Sequence, residues 1–317
     1  MRELNAIAVA GLLCGLTTPA AAQLQDFPQP LAVAQADLPA IVPLAPHQQG
    51  AEPLSGAETH PNAKRLASEI VLALTTYAVG EGPEAIAARL PPEAAGIAAT
   101  FYVPGASSTG RIIYPQLGGI QTDAASVMVV VEQLMGTDDG VRIEWRTLDV
   151  RLARNGGAWH FAGLASAGGD RLDPPAALLP EALAVLNDPR IEMSDSSRWD
   201  IYSGLVSPNL LRFMTRIADQ WGDFGIVTFS TGHPWEVFGT SRQSDHSRGL
   251  AMDLYRLGDD LVIDQHARGS RVYEFAQWVY AQPELRQIGS PWRFGEGGGR
   301  SFTDALHQDH VHIAVAP

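Results

Sequence analysis

The spacing of apolar residues changes its period along the chain, and this change restricts the fold more than any other feature. Leu66, Ile70 and Leu74 recur at helical spacing, whereas Val141 and Ile143 alternate with polar residues, as they do in a half-buried strand. Helices precede strands in the first half, and the second half lacks regular alternation of strands and helices. The pattern therefore predicts an α+β fold rather than a doubly wound parallel sheet.

Two short helices followed by an antiparallel meander are predicted in the first half. Residues 126–135 form a nearly continuous apolar run, and Asn155-Gly156-Gly157 is a strong turn signal before the strand-like stretch 159–164. Helices followed by a curled antiparallel sheet resemble the small cystatin-like or nuclear-transport-factor-like cones. We therefore predict an accessory α+β domain over residues 61–169.

The second half reads as a separate domain. Residues 170–198 contain Pro174-Pro175 and Pro180 and are predicted to be a connector. A second domain is predicted over residues 199–317, as an antiparallel sheet flanked by helices. Its predicted elements are two helices, at 208–221 and 272–280, and three strands, at 226–229, 250–255 and 311–315.

The first residues have the layout of a secretory signal peptide. Arg2 gives a positive start, residues 6–16 are apolar, and Ala20-Ala21-Ala22 offers a small-residue cleavage pattern. The apolar stretch is too short to remain as a membrane-spanning helix. We predict a signal peptide at residues 1–22, no stable membrane span after cleavage, and a periplasmic or secreted protein.

Composition narrows the chemistry of the exported chain. Residues 23–60 are rich in Pro, Ala and Gln and are predicted to be a flexible linker. The single cysteine, Cys14, lies in the predicted signal peptide, which excludes disulfides and thiolate ligands from the rest of the chain. The net charge of -13 argues against a nucleic-acid partner. Any metal site must use histidine and carboxylate.

Histidines cluster near the end of the chain, where six of the nine fall between residues 233 and 312. His246 and Asp253 lie seven residues apart with Gly249 between them, so a turn followed by a strand can bring them together. In a strand, His310 and His312 share one face. Two histidines and one carboxylate, with a fourth position left for water, form a catalytic zinc arrangement.

These motifs resemble those of a known superfamily. Ser-x-His-x-x-Gly-x-Ala-x-Asp at 244–253, followed by Asp-His-x-His at 309–312, is similar to the zinc D-alanyl-D-alanine peptidases, which include murein endopeptidases and the hedgehog signalling domain. The resemblance is confined to the predicted C-terminal domain. It implies that Asp309 is the general base and that His310 assists proton transfer or stabilises an oxyanion. It also implies three ligands for one zinc ion: His246, Asp253 and His312.

The resemblance implies hydrolysis of peptide bonds in peptidoglycan stems, next to a D-amino acid, through a zinc-activated water. Family members often carry Ser-Gly-Tyr-Arg upstream, where this chain reads Ser-Thr-Gly-His-Pro at 230–234. Substrate contacts are therefore predicted at Ser244, Arg248, Arg242 and His233. Two alternatives stay open: a non-catalytic zinc-stabilised binding module, and an amidase acting on a non-murein substrate. The bond cleaved, and whether Asp309 or His310 is the base, also stay open.

Overall fold

The structure is a computed structural model that describes residues 54–296 and 299–317. The predicted signal peptide and all but the last residues of the predicted linker lie outside this range. Among the described residues, no helix has the length and apolar character needed to cross a membrane.

The first half folds as two α-helices and a short 3-10 helix against a four-stranded antiparallel meander, with the strands in chain order across the sheet. Helix α1 begins at Pro61, whose fixed φ suits the first turn of a helix, and it buries Ile70 and Leu74 against the sheet. The elements are α1 (Pro61–Thr75), α2 (Pro83–Ala87), the 3-10 helix Pro92–Ile97, β1 (Ser107–Ile120), β2 (Ala124–Thr137), β3 (Gly140–Arg154) and β4 (Trp159–Ser166).

The second half folds as a mixed sheet with helices packed on one face. Its α-helices are α3 (Pro180–Leu186), α4 (Asp195–Tyr202), α5 (Pro208–Trp221) and α6 (Arg271–Tyr280), and a 3-10 helix spans Val262–Asp264. Its strands are β5 (Ile191–Glu192), β6 (Phe224–Thr228), β7 (Ala251–Leu257), β8 (Asp260–Leu261), β9 (Leu285–Gly289), β10 (Ser301–Phe302) and β11 (Val311–Val315).

The strand order of this sheet is β10-β9-β11-β7-β6-β5, with β8 paired to β7. The prediction of an antiparallel sheet holds for the central strands and fails at both edges. The pairs β9–β11, β11–β7 and β7–β6 are antiparallel, but β10 pairs with β9 and β5 pairs with β6 in parallel. Both edge strands have only two residues, too few to show a strand period in the sequence.

The faces of the second sheet differ in character, because alternate residues of a strand point to opposite sides. On β7, Met252 and Leu254 join the core beneath α5 and α6. Tyr255 faces the other way and stacks on Tyr114 of β1, with ring centroids 4.9 Å apart. The Thr147 hydroxyl of β3 donates to the Val227 carbonyl at 2.7 Å. The first sheet thus covers the face of the second sheet that does not pack on helices.

The α+β prediction is confirmed, and the predicted helices and strands of the second half match α5, α6, β6, β7 and β11 closely. The first half contains a strand, β1, that the pattern did not predict. The described residues of both halves belong to one compact unit.

Candidate metal centre

Strands β7 and β11 place two of the predicted ligands side by side. The two strands pair antiparallel, and His312 lies directly opposite Asp253 in the register. Opposed residues in an antiparallel pair project from the same face. Both side chains therefore point away from the helix-packed core and toward the first sheet.

A tight turn before β7 brings in the third predicted ligand. Gly249 adopts φ +68°, and a Cβ there would lie 1.7 Å from the Leu205 carbonyl oxygen, so only glycine fits. The turn is closed by a hydrogen bond from the Gly249 N–H to the His246 carbonyl at 2.9 Å. The chain thus doubles back and brings His246 next to Asp253, which lies seven residues further along the sequence.

Three donor atoms form a nearly equilateral triangle. His246 Nε2 lies 3.0 Å from His312 Nδ1 and 3.1 Å from Asp253 Oδ1. His312 Nδ1 lies 3.1 Å from the same Asp253 oxygen. Zinc bonds of about 2.0–2.2 Å place tetrahedral donors roughly 3.3 Å apart. The triangle is therefore close to the spacing that one small metal ion requires.

A backbone carbonyl determines which ring nitrogen of His246 carries the proton. Its Nδ1 lies 2.5 Å from the Phe229 carbonyl oxygen, which can only accept a hydrogen bond, so Nδ1 carries the proton. In the neutral ring, Nε2 then presents a lone pair to the triangle. This arrangement, in which the distal nitrogen is tied to a carbonyl, is typical of metal-binding histidines.

Charge in the triangle also suits a divalent cation. Burial alone would raise the pKa of Asp253, but its electrostatic interactions with the neighbouring imidazoles of His246 and His310 hold it well below its ordinary value. Burial lowers the pKa of His312 to about 4. At neutral pH the carboxylate is therefore ionised and His312 is neutral, which is the ligand form of each group.

His233 belongs to a second, overlapping group. His233, His246 and Asp253 form a set that could hold a metal ion, with donor atoms within 4.8 Å of one another. The His233 ring stacks on the His246 ring, with centroids 3.9 Å apart and planes inclined by 15°. Because a histidine binds a metal in its ring plane, two stacked rings hold their lone pairs in two separate, nearly parallel planes, which disfavours a shared ion. His312 converges on the triangle more closely.

Beside the triangle lies a histidine–aspartate pair. His310 Nδ1 lies 2.6 Å from Asp309 Oδ1, and His310 Nε2 lies 3.7 Å from Asp253 Oδ1. Burial would lower the pKa of His310, but the negative charges of Asp253 and Asp309 raise it above its ordinary value. The imidazole thus lies between a metal-site carboxylate and a supporting carboxylate.

Asp309, predicted as the general base, lies behind His310 and is fully buried. Its Oδ2 accepts hydrogen bonds from the Leu117 N–H at 3.1 Å and from Lys64 Nζ at 2.5 Å. Burial would raise the pKa of Asp309, but the Lys64 charge and the hydrogen bond to His310 lower it to about 2. A carboxylate held this way is a weak base near neutral pH.

Lys64 on α1 connects this pair to the first half of the chain. It is the only lysine in the sequence, since every other basic residue counted with it is arginine. Its side chain is completely buried and pairs with Glu58 as well as Asp309. The Tyr114 hydroxyl contacts Glu58 Oε1 at 3.1 Å and the Asp309 carbonyl oxygen at 3.3 Å. No sequence motif indicated these contacts. The presence of a single lysine was the one feature of the sequence that could have drawn attention to them.

The triangle lies at the base of a cavity of about 530 Å³. Its walls come from both halves of the chain, with Leu117 and Ile120 from β1 facing Phe302 and His307 from the second half. His307 Nδ1 lies 2.7 Å from Asp304 Oδ1, and the two form a second histidine–aspartate pair that no sequence motif indicated.

Three of the four predicted substrate contacts line this cavity: Ser244, Arg242 and His233. Ser244 is buried, and its hydroxyl accepts a hydrogen bond from the His246 N–H at 3.3 Å. Arg248 is not among the lining residues. Its guanidinium pairs at 3.1 Å with Asp245, which also binds Arg286 at 2.6 Å.

Comparison with known proteins gives no relative: no protein-family model, curated protein or solved structure matches the chain.

Proposed function

We propose that this protein is a zinc-dependent peptidase that hydrolyses peptide bonds in peptidoglycan. One observation carries the proposal: three donor atoms, from His246, Asp253 and His312, lie 3.0–3.1 Å apart at the base of a cavity large enough for a peptide segment. In this proposal, residues 199–317 are a metallopeptidase domain of the D-Ala-D-Ala peptidase type. The first half is an accessory domain of cystatin-like shape.

The donor set fits zinc. Imidazole nitrogens and a single carboxylate oxygen are common zinc ligands, and three protein ligands leave one position open, as in catalytic sites. The proposed ligands are His246, Asp253 and His312, because their atoms converge, and His233 is assigned to the cavity wall. When bound, one zinc ion supplies Lewis acidity toward a carbonyl and lowers the pKa of a water molecule toward about 7.

Side chains of the protein would transfer the proton from the attacking water to the leaving amine. His310 is the proposed general base, because its Nε2 faces the triangle while its Nδ1–H is held by Asp309. Asp309 is the positioning partner, since both of its oxygens are already engaged. His310 would accept the proton on Nε2 and return it to the leaving amine. Asp309 would stay ionised throughout, as the supporting carboxylate does in other histidine–carboxylate pairs.

The substrate class rests on the sequence resemblance and on the predicted export. A peptidoglycan stem peptide would lie in the cavity against Ser244, His233 and Arg242, and a guanidinium such as that of Arg242 can bind a peptide carboxylate through two hydrogen bonds. The periplasm or the cell exterior is the proposed location, where such stems occur.

The test combines metal analysis with digestion of purified sacculi by the full chain. We expect one zinc per chain and release of muropeptides, and we expect His246→Ala to lose both. His160→Ala, on β4 and outside the cavity, is the matched control and should keep both.

Other outcomes select between the alternatives. Zinc bound without cleavage of any peptide would favour the binding module, and cleavage of simple amides without release from sacculi would favour the amidase. A wild-type chain that binds no zinc would overturn the proposal.

A further inference from the structure

Strand β1 extends from the first sheet into the metal centre. It is an edge strand, where Pro115 can lack an N–H without breaking a sheet hydrogen bond. Two register shifts against β2 flank its central residues, one between Ile112 and Tyr114 and one between Leu117 and Gly119. Such irregularities bend a strand and redirect its side chains, and they are common beside functional sites. The segment between the shifts is the part of β1 that reaches the triangle.

Gln116 lies in that segment and contacts a proposed ligand directly. Its Nε2 donates a hydrogen bond to Asp253 Oδ2 at 2.7 Å. The other oxygen, Asp253 Oδ1, is the one that faces His246 and His312. The two oxygens of the carboxylate are therefore divided: one faces the triangle and the other is occupied by the amide.

Packing alone does not explain why an amide side chain occupies this buried position. Gln116 is completely buried, and its Oε1 has no hydrogen-bonding partner among the described residues. A buried polar atom without a partner destabilises the fold, and an apolar side chain of the same length would avoid that loss. Among the residues that the structure describes, the hydrogen bond to Asp253 is the contact that accounts for an amide rather than an apolar side chain at this position.

We propose that Gln116 keeps Asp253 a one-oxygen ligand and so keeps a coordination position of the metal open. This inference rests on the proposed function, since it assumes that Asp253 binds the ion. Carboxylates bind metals through one oxygen or through both, and the amide withholds Oδ2 from the second mode. Orienting contacts of this kind typically change metal affinity or activity by 10–100-fold when they are removed. The first sheet is thereby part of the metal centre.

The test loads the full chain with Co²⁺, whose visible absorption weakens as the coordination number rises, and measures Zn²⁺ affinity by competition with a chelator. In Gln116→Met, we expect a weaker cobalt absorption and a Zn²⁺ dissociation constant changed by about 10-fold or more. Gln116→Asn keeps the amide but is one methylene shorter, and it should show the same change.

Gln133→Met is the matched control. Gln133 is a buried glutamine of β2 whose Nε2 hydrogen-bonds Ser108 Oγ at 2.9 Å and the Phe101 carbonyl at 3.3 Å, away from the triangle. It should leave the cobalt spectrum unchanged. A wild-type spectrum retained in both Gln116 variants would overturn this inference and leave the zinc site intact. A wild-type chain that binds neither ion would overturn the proposed function as well.

Discussion

The two sheets of this protein contribute opposite kinds of group to one site. The second sheet and the turn before β7 supply electron-pair donors: the imidazoles of His246 and His312 and one oxygen of Asp253. The first half supplies hydrogen-bond donors: the Lys64 ammonium and the Leu117 N–H to Asp309, and the Gln116 amide to Asp253. In the proposed metal centre, the second sheet and its turn would supply the ligands, and groups of the first half would hold the carboxylates in place.

The largest effect should separate the two candidate ligand sets on the second half. His312→Ala should abolish stoichiometric zinc binding, because it removes one corner of the 3.0–3.1 Å triangle. His233→Ala should keep one zinc per chain, because the stacked His233 ring does not converge on the same point. Metal analysis after dialysis measures both. The reverse result would assign the ligands to His233, His246 and Asp253.

The next effect tests the division of roles between ligands and proton transfer. His310→Ala should lower kcat by about 10²–10⁴-fold, the usual contribution of a general base, while zinc stays bound. Zinc content and kcat on a muropeptide are the measurements, with His160→Ala as the control. Loss of zinc along with activity would instead make His310 a ligand. The zinc ligands and the general base would then no longer be separate residues.

A third effect, smaller than these two, concerns the buried contact of Lys64 between the two halves. Lys64→Met should lower the free energy of unfolding by about 3–5 kcal/mol, because it leaves Glu58 and Asp309 buried without their cation. Arg111→Met on β1 removes an exposed ion pair with Glu132 and should cost about 1 kcal/mol or less. Urea denaturation measures both. Equal losses in the two variants would mean that the buried cluster stabilises no more than a surface pair does.

The smallest effect is the pH dependence of the same cluster. The folded pKa of Asp309 is about 2, below the ordinary value of 3.8, so its contribution to stability is present above the ordinary value and is lost as the pH falls toward 2. The difference corresponds to about 2 kcal/mol. Urea denaturation of the metal-free wild type and of Asp309→Asn, between about pH 6 and pH 3, should show the advantage of the wild type shrinking as acid is added. An advantage that grows with acid would reverse the sign of the pKa shift.

The sequence was informative where chemistry and local geometry coincide. His246 and Asp253 are seven residues apart, and a glycine turn leads directly into a strand, so their proximity follows from local structure. His310 and His312 lie two residues apart where β11 begins. Five elements of the second half, α5, α6, β6, β7 and β11, were predicted for the same reason, since Ile217, Phe275 and their neighbours keep a clear helical or strand period.

The contribution of the first half could not be found in this way. Strand β1 was missed because Pro115 and the Gly118-Gly119 pair interrupt its apolar pattern, and these residues accompany the bends that bring β1 to the site. Gln116 and Lys64 are separated from their partners by 137 and 245 residues. A hydrogen-bond donor to a carboxylate has no required sequence spacing, so only the tertiary structure brings it into view.

The burial of Lys64 has a consequence for labelling experiments. Because it is the chain's only lysine and has no exposed surface in the folded protein, amine-acylating reagents should find no ε-amino group to modify while the two halves stay together. Acylation at Lys64 would then proceed only through openings that uncover α1 and the Asp309 carboxylate. The rate of that modification, read by mass spectrometry, would report how often the two sheets part.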